Sequence, residues 1–196
     1  MVTDHRKLPR RRGEALNAAI YQATLDELAE SGYAGLTMER VAERAKASKA
    51  SLYRRWPTRI ELVTEAVRNT LPTVESVPDT GSLRDDLITA LSLAAHAMSG
   101  PAGEALRGLL GEALSSGAPL SAMRRTSGGM GRKIMEEIVR RAIERGEVEP
   151  DTVTPRRLDA GHALLRHHFL FIGAPIPDEL VVQIVDEVLI PLLTSD

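Results

Sequence analysis

The stretch from Thr37 to Arg59, TMERVAERAKASKASLYRRWPTR, constrains the fold of this chain more than any other. Thr37 and Ser48 each precede a run of helix-forming residues, and each side chain can accept a hydrogen bond from a backbone N–H group of the first turn. The pair Lys46–Ala47 separates the two runs, and Pro57 ends the second one. The stretch therefore predicts two short helices joined by a tight turn, with a further helix starting at once.

The two predicted helices each have an apolar side at helical spacing. The inward positions are Met38, Val41, Ala42, Ala45, Leu52 and Trp56. The outward side of the second helix carries Ala50, Ser51 and Arg54, which suits a helix that enters the DNA major groove and touches base edges and phosphates. The alternative is a plain three-helix packing unit with Tyr53 and Trp56 in its core. For Trp56 we expect the core position.

The same stretch resembles the N-terminal domain of the tetracycline-repressor (TetR) family. The matching residues are Thr37, Val41-Ala42, Ser48-Lys49-Ala50-Ser51-Leu52-Tyr53, Trp56-Pro57 and Arg59. Two positions depart from the family pattern, because Lys46 replaces the usual turn glycine and Ala50 replaces a frequent glycine. A lysine in a left-handed turn costs about 1 kcal/mol relative to glycine, which the motif can tolerate.

The resemblance implies a role for each matching residue in binding double-stranded DNA. Lys49 and Ala50 are expected to meet bases, and Arg54 could meet either bases or phosphates. Ser48, at the start of the recognition helix, is expected to be part of the interface. The residues expected to hold phosphates are Thr37, Ser51, Tyr53, Arg55 and Arg59. In a dimer, two such helices lie about 34 Å apart and bind a palindromic operator.

Composition limits the other functions of this 196-residue chain, which is long enough for one or two small domains. It has no cysteine, so disulfides are excluded and a reducing cytoplasm fits. The histidines and carboxylates do not have the spacing of metal ligands, and we expect neither a metal nor a cofactor. The longest uncharged run, 87–103, contains His96 and Pro101 and is a poor membrane span.

Charge is distributed unevenly along the chain. Residues 1–60 carry 12 Lys and Arg against 7 Asp and Glu, a balance of +5, whereas residues 61–196 carry 13 against 20, a balance of −7. The basic part contains the motif, as phosphate binding requires. In the N-terminal arm, Arg10, Arg11 and Arg12 either contact phosphates or the minor groove, or form a solubilising tail.

The apolar periodicity of the chain and the positions of its glycines and prolines predict an all-α protein of about nine helices, with an N-terminal three-helix DNA-binding domain and a C-terminal helical domain. A first helix over 14–31, closed by Gly32, would brace the motif. The expected divisions are a basic arm (1–13), a helix-turn-helix domain with a linking helix (14–70), a linker (71–81), and an effector-binding and dimerisation domain (82–196). Later helices are predicted over 82–99, 101–115, 119–145, 155–172 and 178–194.

The last two predicted helices carry the widest apolar stripes. Stripes of this width exceed what one small domain needs to bury, which suggests a helix pair from a second copy, although two ordinary core helices are the alternative. In the TetR family these helices form a four-helix dimer interface. The residues expected there are Leu158, Gly161, Leu165, His168, Ile172, Val181, Ile184, Val185, Val188 and Leu192.

The C-terminal domain is rich in aliphatic residues and methionine, which favours a small, mainly apolar effector. The candidate ligand residues are His96, Met98, Leu110, Met123, Met130, Ile134, His162, Arg166 and Phe169. The histidines could instead be satisfied core or interface residues. The glycine-rich run 127–131 lacks the flanking residues of a phosphate loop and is better interpreted as a break or kink in a long helix.

These features predict a homodimeric transcriptional regulator, most simply a repressor that a small molecule releases from its operator. An activator or a ligand-independent DNA-binding protein would share every motif. An all-helical enzyme would need a titratable cluster in a cavity, and no nucleophile triad, carboxylate pair or nucleotide fingerprint is evident. A helical interaction module would use the apolar stripes of the last two helices for a different partner.

Overall fold

The structure is a computed structural model and describes residues 13–77, 79–116 and 129–194. Within these ranges every regular element is helical and no strand occurs, so the predicted all-α fold is confirmed. The α-helices are α1 (Glu14–Gly35), α2 (Met38–Arg44), α3 (Lys49–Arg55), α4 (Arg59–Arg68), α5 (Leu83–Met98), α6 (Pro101–Ser116), α7 (Gly129–Glu144), α8 (Pro155–Phe171), α9 (Asp178–Gln183) and α10 (Ile190–Thr194). Short 3-10 helices at Val74–Ser76 and Pro150–Thr152 lie in the connections.

The described residues form two compact units. The first contains those within Met1–Thr70 and Glu104–Ala118, and the second those within Leu71–Gly103 and Pro119–Asp196. Most of α6 thus groups with the first four helices, whereas the sequence predicts that this helix belongs to the second domain. The boundary between the two units falls within α6, after Gly103.

The first unit is built around α1, which packs against both α2 and α4. Its core side chains are fully buried: Ile20, Leu28, Leu36, Leu52 and Leu62. Gly32 has φ 64° and ψ 177°, which interrupts the helical geometry directly after Ser31. This is the position where the sequence predicts that the first helix ends, because glycine adopts positive φ without steric cost.

The second unit packs α5, α7 and α8 together with the C-terminal helical segment. Leu87, Leu91, Met135, Ile138 and Leu165 are fully buried in it. The absence of a side chain at Gly161 allows α8 to approach its neighbours closely. A Cβ atom at this position would lie 2.9 Å from Leu189 Cδ1 and 3.2 Å from Leu91 Cδ1.

Two predicted helices differ in detail from the structure. The C-terminal helix, predicted as continuous over 178–194, contains a π-helical segment at Ile184–Leu189 between α9 and α10. Of the helix predicted over 119–145, the described part is α7, which begins at Gly129. The question whether the glycine run breaks that helix lies outside the described residues.

Candidate nucleic-acid interface

Hydroxyl side chains fix the starts of α2, α3 and α4. The Thr37 and Thr58 Oγ1 atoms each accept a hydrogen bond of 3.2 Å, from the backbone N–H groups of Arg40 and Glu61 respectively. Ser48 Oγ accepts one, also of 3.2 Å, from the N–H of Ser51. The predicted caps are therefore confirmed, and each helix begins where the sequence indicates.

The turn between α2 and α3 depends on a left-handed residue. Lys46 has φ 54° and is the non-glycine residue with positive φ within the described ranges. The Lys46 N–H donates to the Glu43 carbonyl at 3.0 Å, and the Ala47 N–H donates to the Ala42 carbonyl at 2.9 Å. This pair of bonds satisfies the last carbonyls of α2 and confirms the predicted left-handed turn at the lysine.

One side of α3 is anchored in the core by Trp56 and Leu52. Trp56 is buried, and its Nε1–H donates to Glu65 Oε2 at 2.8 Å. The Tyr21 ring packs edge-on against it with a centroid distance of 5.6 Å, and the Tyr21 hydroxyl donates to the other Glu65 oxygen. The expected core position of Trp56 is confirmed, whereas the role of Glu65 in joining α1, α3 and α4 is not evident from sequence spacing.

The opposite side of α3 faces solvent. It presents Lys49, Ala50, Tyr53 and Arg54 as exposed residues, and the Tyr53 side chain remains 43% exposed. Ser48 and Thr37 are also exposed, beside the starts of α3 and α2. Six of the nine described residues predicted to contact DNA are thus exposed on the first unit, and Ser51, Arg55 and Arg59 are partly buried. Arg10, Arg11 and Arg12 lie outside the described residues.

An acidic residue lies beside this surface. The Lys49 Nζ atom is 3.7 Å from Glu39 Oε1, and the Tyr53 hydroxyl donates to the same oxygen at 3.3 Å. Glu39 is on α2, and its side chain is about half exposed. Its position between Met38 and the next inward residue, Val41, is the sequence signal that could have placed it on the outward side. We name the group formed by Glu39, Lys49 and Tyr53 the Glu39 group.

The two arginines among the predicted phosphate ligands, Arg55 and Arg59, are bound by groups of the protein itself. Arg55 Nη1 donates to the Ser51 carbonyl at 3.0 Å and to the Ser51 hydroxyl. Arg59 Nη2 forms an ion pair of 2.6 Å with Glu112 Oε2, and its guanidinium carbon lies 4.3 Å from the centroid of the Tyr33 ring. The role of both arginines as phosphate ligands stays a prediction, since each would have to exchange an existing partner.

The contacts of Arg59 form a three-residue group, the Tyr33–Arg59–Glu112 cluster. The Tyr33 hydroxyl donates to Glu112 Oε2 at 2.7 Å, so one carboxylate oxygen accepts from both neighbours. These hydrogen bonds, first that from Tyr33 and then that from Arg59, hold the pKa of Glu112 below its usual value. The cluster therefore joins α1, the start of α4 and α6 through a charged network.

A second charged network fixes α2 on α1. The buried carboxylate of Glu27 forms ion pairs with Arg40 and Arg44. The Nε atom of each arginine lies 2.8 Å from a different carboxylate oxygen. Arg44 also pairs with Glu30 through its terminal nitrogens. Because a buried carboxylate is costly unless paired, this arrangement sets the orientation of α2 with respect to α1.

The candidate ligand residues occupy several different environments. Ile134 and Phe169 are buried, and Met98, Leu110, Met130, His162 and Arg166 are partly buried. His96 is exposed, and Met123 lies outside the described residues. Their role in ligand binding stays a prediction.

The candidate dimer residues divide into two sets. Leu158, Gly161, Leu165, Val181, Ile184 and Val185 are buried within this subunit, and His168, Val188 and Leu192 are partly buried. Ile172 is 72% exposed. Two further apolar residues, which are not among the predicted dimer residues, are also exposed: Phe171 at 78% and Leu164 at 37%. In the sequence these residues lie at the edge of the wide apolar stripe of α8 that is opposite to the buried residues, and this position could have indicated their exposure.

Two further expectations concern ions and membranes. The described ranges hold no group of three or more His, Asp or Glu side chains arranged to bind a metal ion. The helices in these same parts of the chain are too short or too polar to cross a membrane.

Two capped helices joined by a tight turn, with an exposed basic side on the second helix, define a helix-turn-helix DNA-binding protein. Residues 20–66 match the family described as "Bacterial regulatory proteins, tetR family", and residues 77–188 match "Tetracyclin repressor-like, C-terminal domain". The chain belongs to the TetR family of transcriptional regulators. It is thus a DNA-binding regulator and not an enzyme.

Individual relatives agree with this assignment. The HTH-type transcriptional regulator Rv1556 of Mycobacterium tuberculosis (strain ATCC 25618 / H37Rv) is 32% identical over 87% of this chain and 84% of that protein. The DNA-binding transcriptional repressor TetR of Mycobacteroides abscessus is 32% identical over 93% of this chain and 96% of that protein. The crystal structure of the TetR family transcription regulator SCO0332 superposes with a TM-score of 0.73 at 31% identity, covering 90% of this chain and 97% of that one.

Proposed function

We propose that this protein is a homodimeric cytoplasmic repressor that binds a palindromic operator and is released from it by a small, mainly apolar effector. The observation that carries the DNA-binding part is the exposed side of α3, on which Lys49, Ala50, Tyr53 and Arg54 stand together. The repressor role is supported by the similarity to a DNA-binding transcriptional repressor of Mycobacteroides abscessus.

Within this proposal some exposed residues contact bases and others contact phosphates. Lys49 lies in the first turn of α3 and contacts base edges, and the Ala50 methyl group meets a thymine methyl. Thr37, Tyr53 and Arg54 hold phosphates, which fixes the position of the helix in the groove. The Arg55 and Arg59 guanidinium groups join them by exchanging Ser51 and Glu112 for phosphate oxygens.

The second copy packs against the exposed side of α8. Leu164, Phe171 and Ile172 present apolar side chains there, and the His167 ring lies beside Phe171 with a centroid distance of 5.0 Å. An exposed apolar surface of this kind indicates an interaction site, and a two-fold axis would bring two identical copies of it together. Substituting Phe171→Asp should produce monomers in sedimentation velocity, whereas Leu114→Asp, a change at another exposed leucine, should leave the dimer intact.

Release by an effector is a linkage between two sites. The helix α6 starts in the second unit and continues into the first, where Glu112 contacts Arg59 at the start of α4. An effector that prefers a different position of α6 would alter this contact and disfavour the DNA-bound arrangement. Its effect on operator affinity equals the ratio of its affinities for the two states.

The proposal is tested by selecting bound sequences from a random DNA pool with the full-length protein and transcribing a template that carries the selected site. We expect a palindrome whose half-site centres are one helical turn apart, and reduced transcription when the site overlaps the promoter. Selection of a palindrome together with increased transcription would contradict the repressor role. A selected sequence without two-fold symmetry would contradict the dimeric recognition.

A further inference from the structure

His162 and Arg166 lie one helical turn apart on α8, in the second unit. The imidazole of His162 lies directly against the first turn of α7, because a Cβ atom at Gly131 would be only 2.8 Å from His162 Nε2. Both side chains are partly buried. Phe169, which is fully buried, is the next residue along this side of α8. Two polar side chains thus stand at the edge of an apolar interior.

The charge of Arg166 has no carboxylate partner in the described part of the chain. Asp159 is the acidic residue that acts on its pKa, but Asp159 is already paired with Arg132. Burial lowers the pKa of Arg166 below its usual value, as expected for a cation removed from water without a close anion.

The residues outside the described ranges offer few alternatives. Residues 117–128 have the sequence GAPLSAMRRTSG, which contains no aspartate or glutamate, and the acidic side chains elsewhere outside the described ranges are Asp4 and Asp196. Partly buried cations are normally paired, because an unpaired one retains a desolvation cost. Arg166 therefore has no carboxylate counter-ion among the described residues and can accept one from outside this chain.

His162 adds a hydrogen-bonding group without adding charge. Burial, together with the nearby Arg166 guanidinium, lowers the pKa of His162 to about 4. The neutral imidazole offers one donor and one acceptor nitrogen.

We propose that Arg166 and His162 form a carboxylate-binding subsite and that the effector is an organic monocarboxylate with an apolar body. This inference rests on the proposed effector-controlled function. One guanidinium without a carboxylate partner among the described residues offsets one negative charge, which fits a monocarboxylate better than a phosphate dianion. The planar guanidinium can donate two parallel hydrogen bonds to the carboxylate oxygens, and His162 can donate a third.

The test uses the full-length protein and a set of monocarboxylates, namely butanoate, octanoate, dodecanoate and benzoate, each compared with its neutral amide. Binding is measured by calorimetry and by the shift of Tm. We expect at least one acid to bind more tightly than its amide, and Arg166→Met to weaken that acid by about tenfold or more, as loss of a charged hydrogen bond predicts. Arg156→Met, at an exposed arginine in the first turn of the same helix, is the matched control.

A second readout does not depend on the choice of acid. Removing an unpaired, partly buried cation should raise the Tm of the ligand-free protein in Arg166→Met, whereas Arg156→Met should leave it unchanged. A lower Tm in Arg166→Met would overturn the subsite, because it would assign Arg166 a structural partner. Equal binding of every acid and its amide would overturn it as well.

The subsite and the proposed function can fail separately. If an acid binds through Arg166 and leaves operator binding unchanged, the subsite stands and the release mechanism fails. If only neutral compounds bind and release the operator, the release mechanism stands and the subsite is overturned.

Discussion

The Arg59 guanidinium lies 2.6 Å from the Glu112 carboxylate, which links the first residue of α4 to α6 across 53 positions of sequence. The same arginine lies over the ring of Tyr33 in α1. A residue that the family pattern assigns to DNA phosphate is thus engaged by a carboxylate of its own unit. Phosphate binding by Arg59 and its pairing with Glu112 are therefore competing states.

The strength of this pair can be measured by a double-mutant cycle with Glu112→Gln and Arg59→Met in urea unfolding. Both side chains are about one-third exposed, so we expect a coupling free energy of only about 0.5 to 1 kcal/mol at neutral pH. Because the pKa of Glu112 is lowered in the folded state, this stability is present above the ordinary carboxyl pKa and is lost as the pH falls through the lowered value. A coupling energy that persists in strong acid would contradict the ion pair.

Lys46 provides a test of the turn. Its φ of 54° is unfavourable for any residue with a Cβ atom and most unfavourable for a β-branched one. Lys46→Gly should stabilise the protein by up to about 1 kcal/mol, and Lys46→Val should destabilise it by at least as much. Thermal unfolding of both variants checks this prediction. Stability should decrease in the order glycine, lysine, valine at position 46. A valine variant as stable as the lysine protein would mean that the turn is not left-handed.

The Glu39 group predicts a gain in DNA affinity. Glu39 lies beside Lys49 and Tyr53, so in the proposed complex its charge would repel the DNA phosphates and compete with the DNA for Lys49. Glu39→Gln should tighten binding several-fold to specific and nonspecific DNA alike, with a larger effect at low salt. Filter binding across a salt series measures this, with Glu187→Gln in the second unit as the control. Weaker binding by the Glu39 variant would instead indicate that the carboxylate accepts a hydrogen bond from a base.

The sequence predicts the local structure of the DNA-binding unit well, and the reasons are short-range. The caps at Thr37, Ser48 and Thr58 bond to residues three positions away, and the Lys46 turn is fixed by its immediate neighbours. The pairing of Arg59 with Glu112 joins residues brought together only by tertiary packing. No periodicity in either segment indicates it.

The terminal helices show a different limit of sequence analysis. An apolar stripe wide enough to face two directions does not indicate which edge is buried in its own subunit. Leu158 and Leu165 are in the interior, whereas Phe171 at the opposite edge is exposed. The π-helical segment Ile184–Leu189 shifts the register of the later residues, which a regular helical wheel cannot anticipate.

His162 predicts a pH dependence of stability. Its pKa is about 4 in the folded protein against an ordinary value of 6.5, so the unfolded chain binds the extra proton between these values. Stability should therefore fall as the pH is lowered from 6.5 towards 4, with a contribution from this residue of at most about 1.4 kcal/mol per pH unit.

The comparison of His162→Gln with His96→Gln isolates this effect, because His96 is exposed. Urea unfolding at several pH values should give a flatter pH dependence for the His162 variant than for the wild type. The His96 variant should follow the wild type. Identical slopes in all three proteins would show that His162 takes up its proton normally in the folded state.

The central claim is that the exposed side of α3 reads DNA sequence, and a competition mobility shift with Lys49→Ala tests it most directly. Wild type should prefer its selected site to a scrambled one, with an affinity that falls steeply with salt. Lys49→Ala should lose about 1 to 3 kcal/mol of discrimination at particular base pairs. Lys133→Ala, at an exposed lysine of the second unit, should match the wild type. Unchanged discrimination by Lys49→Ala, in a protein shown to be folded and dimeric, would contradict the account.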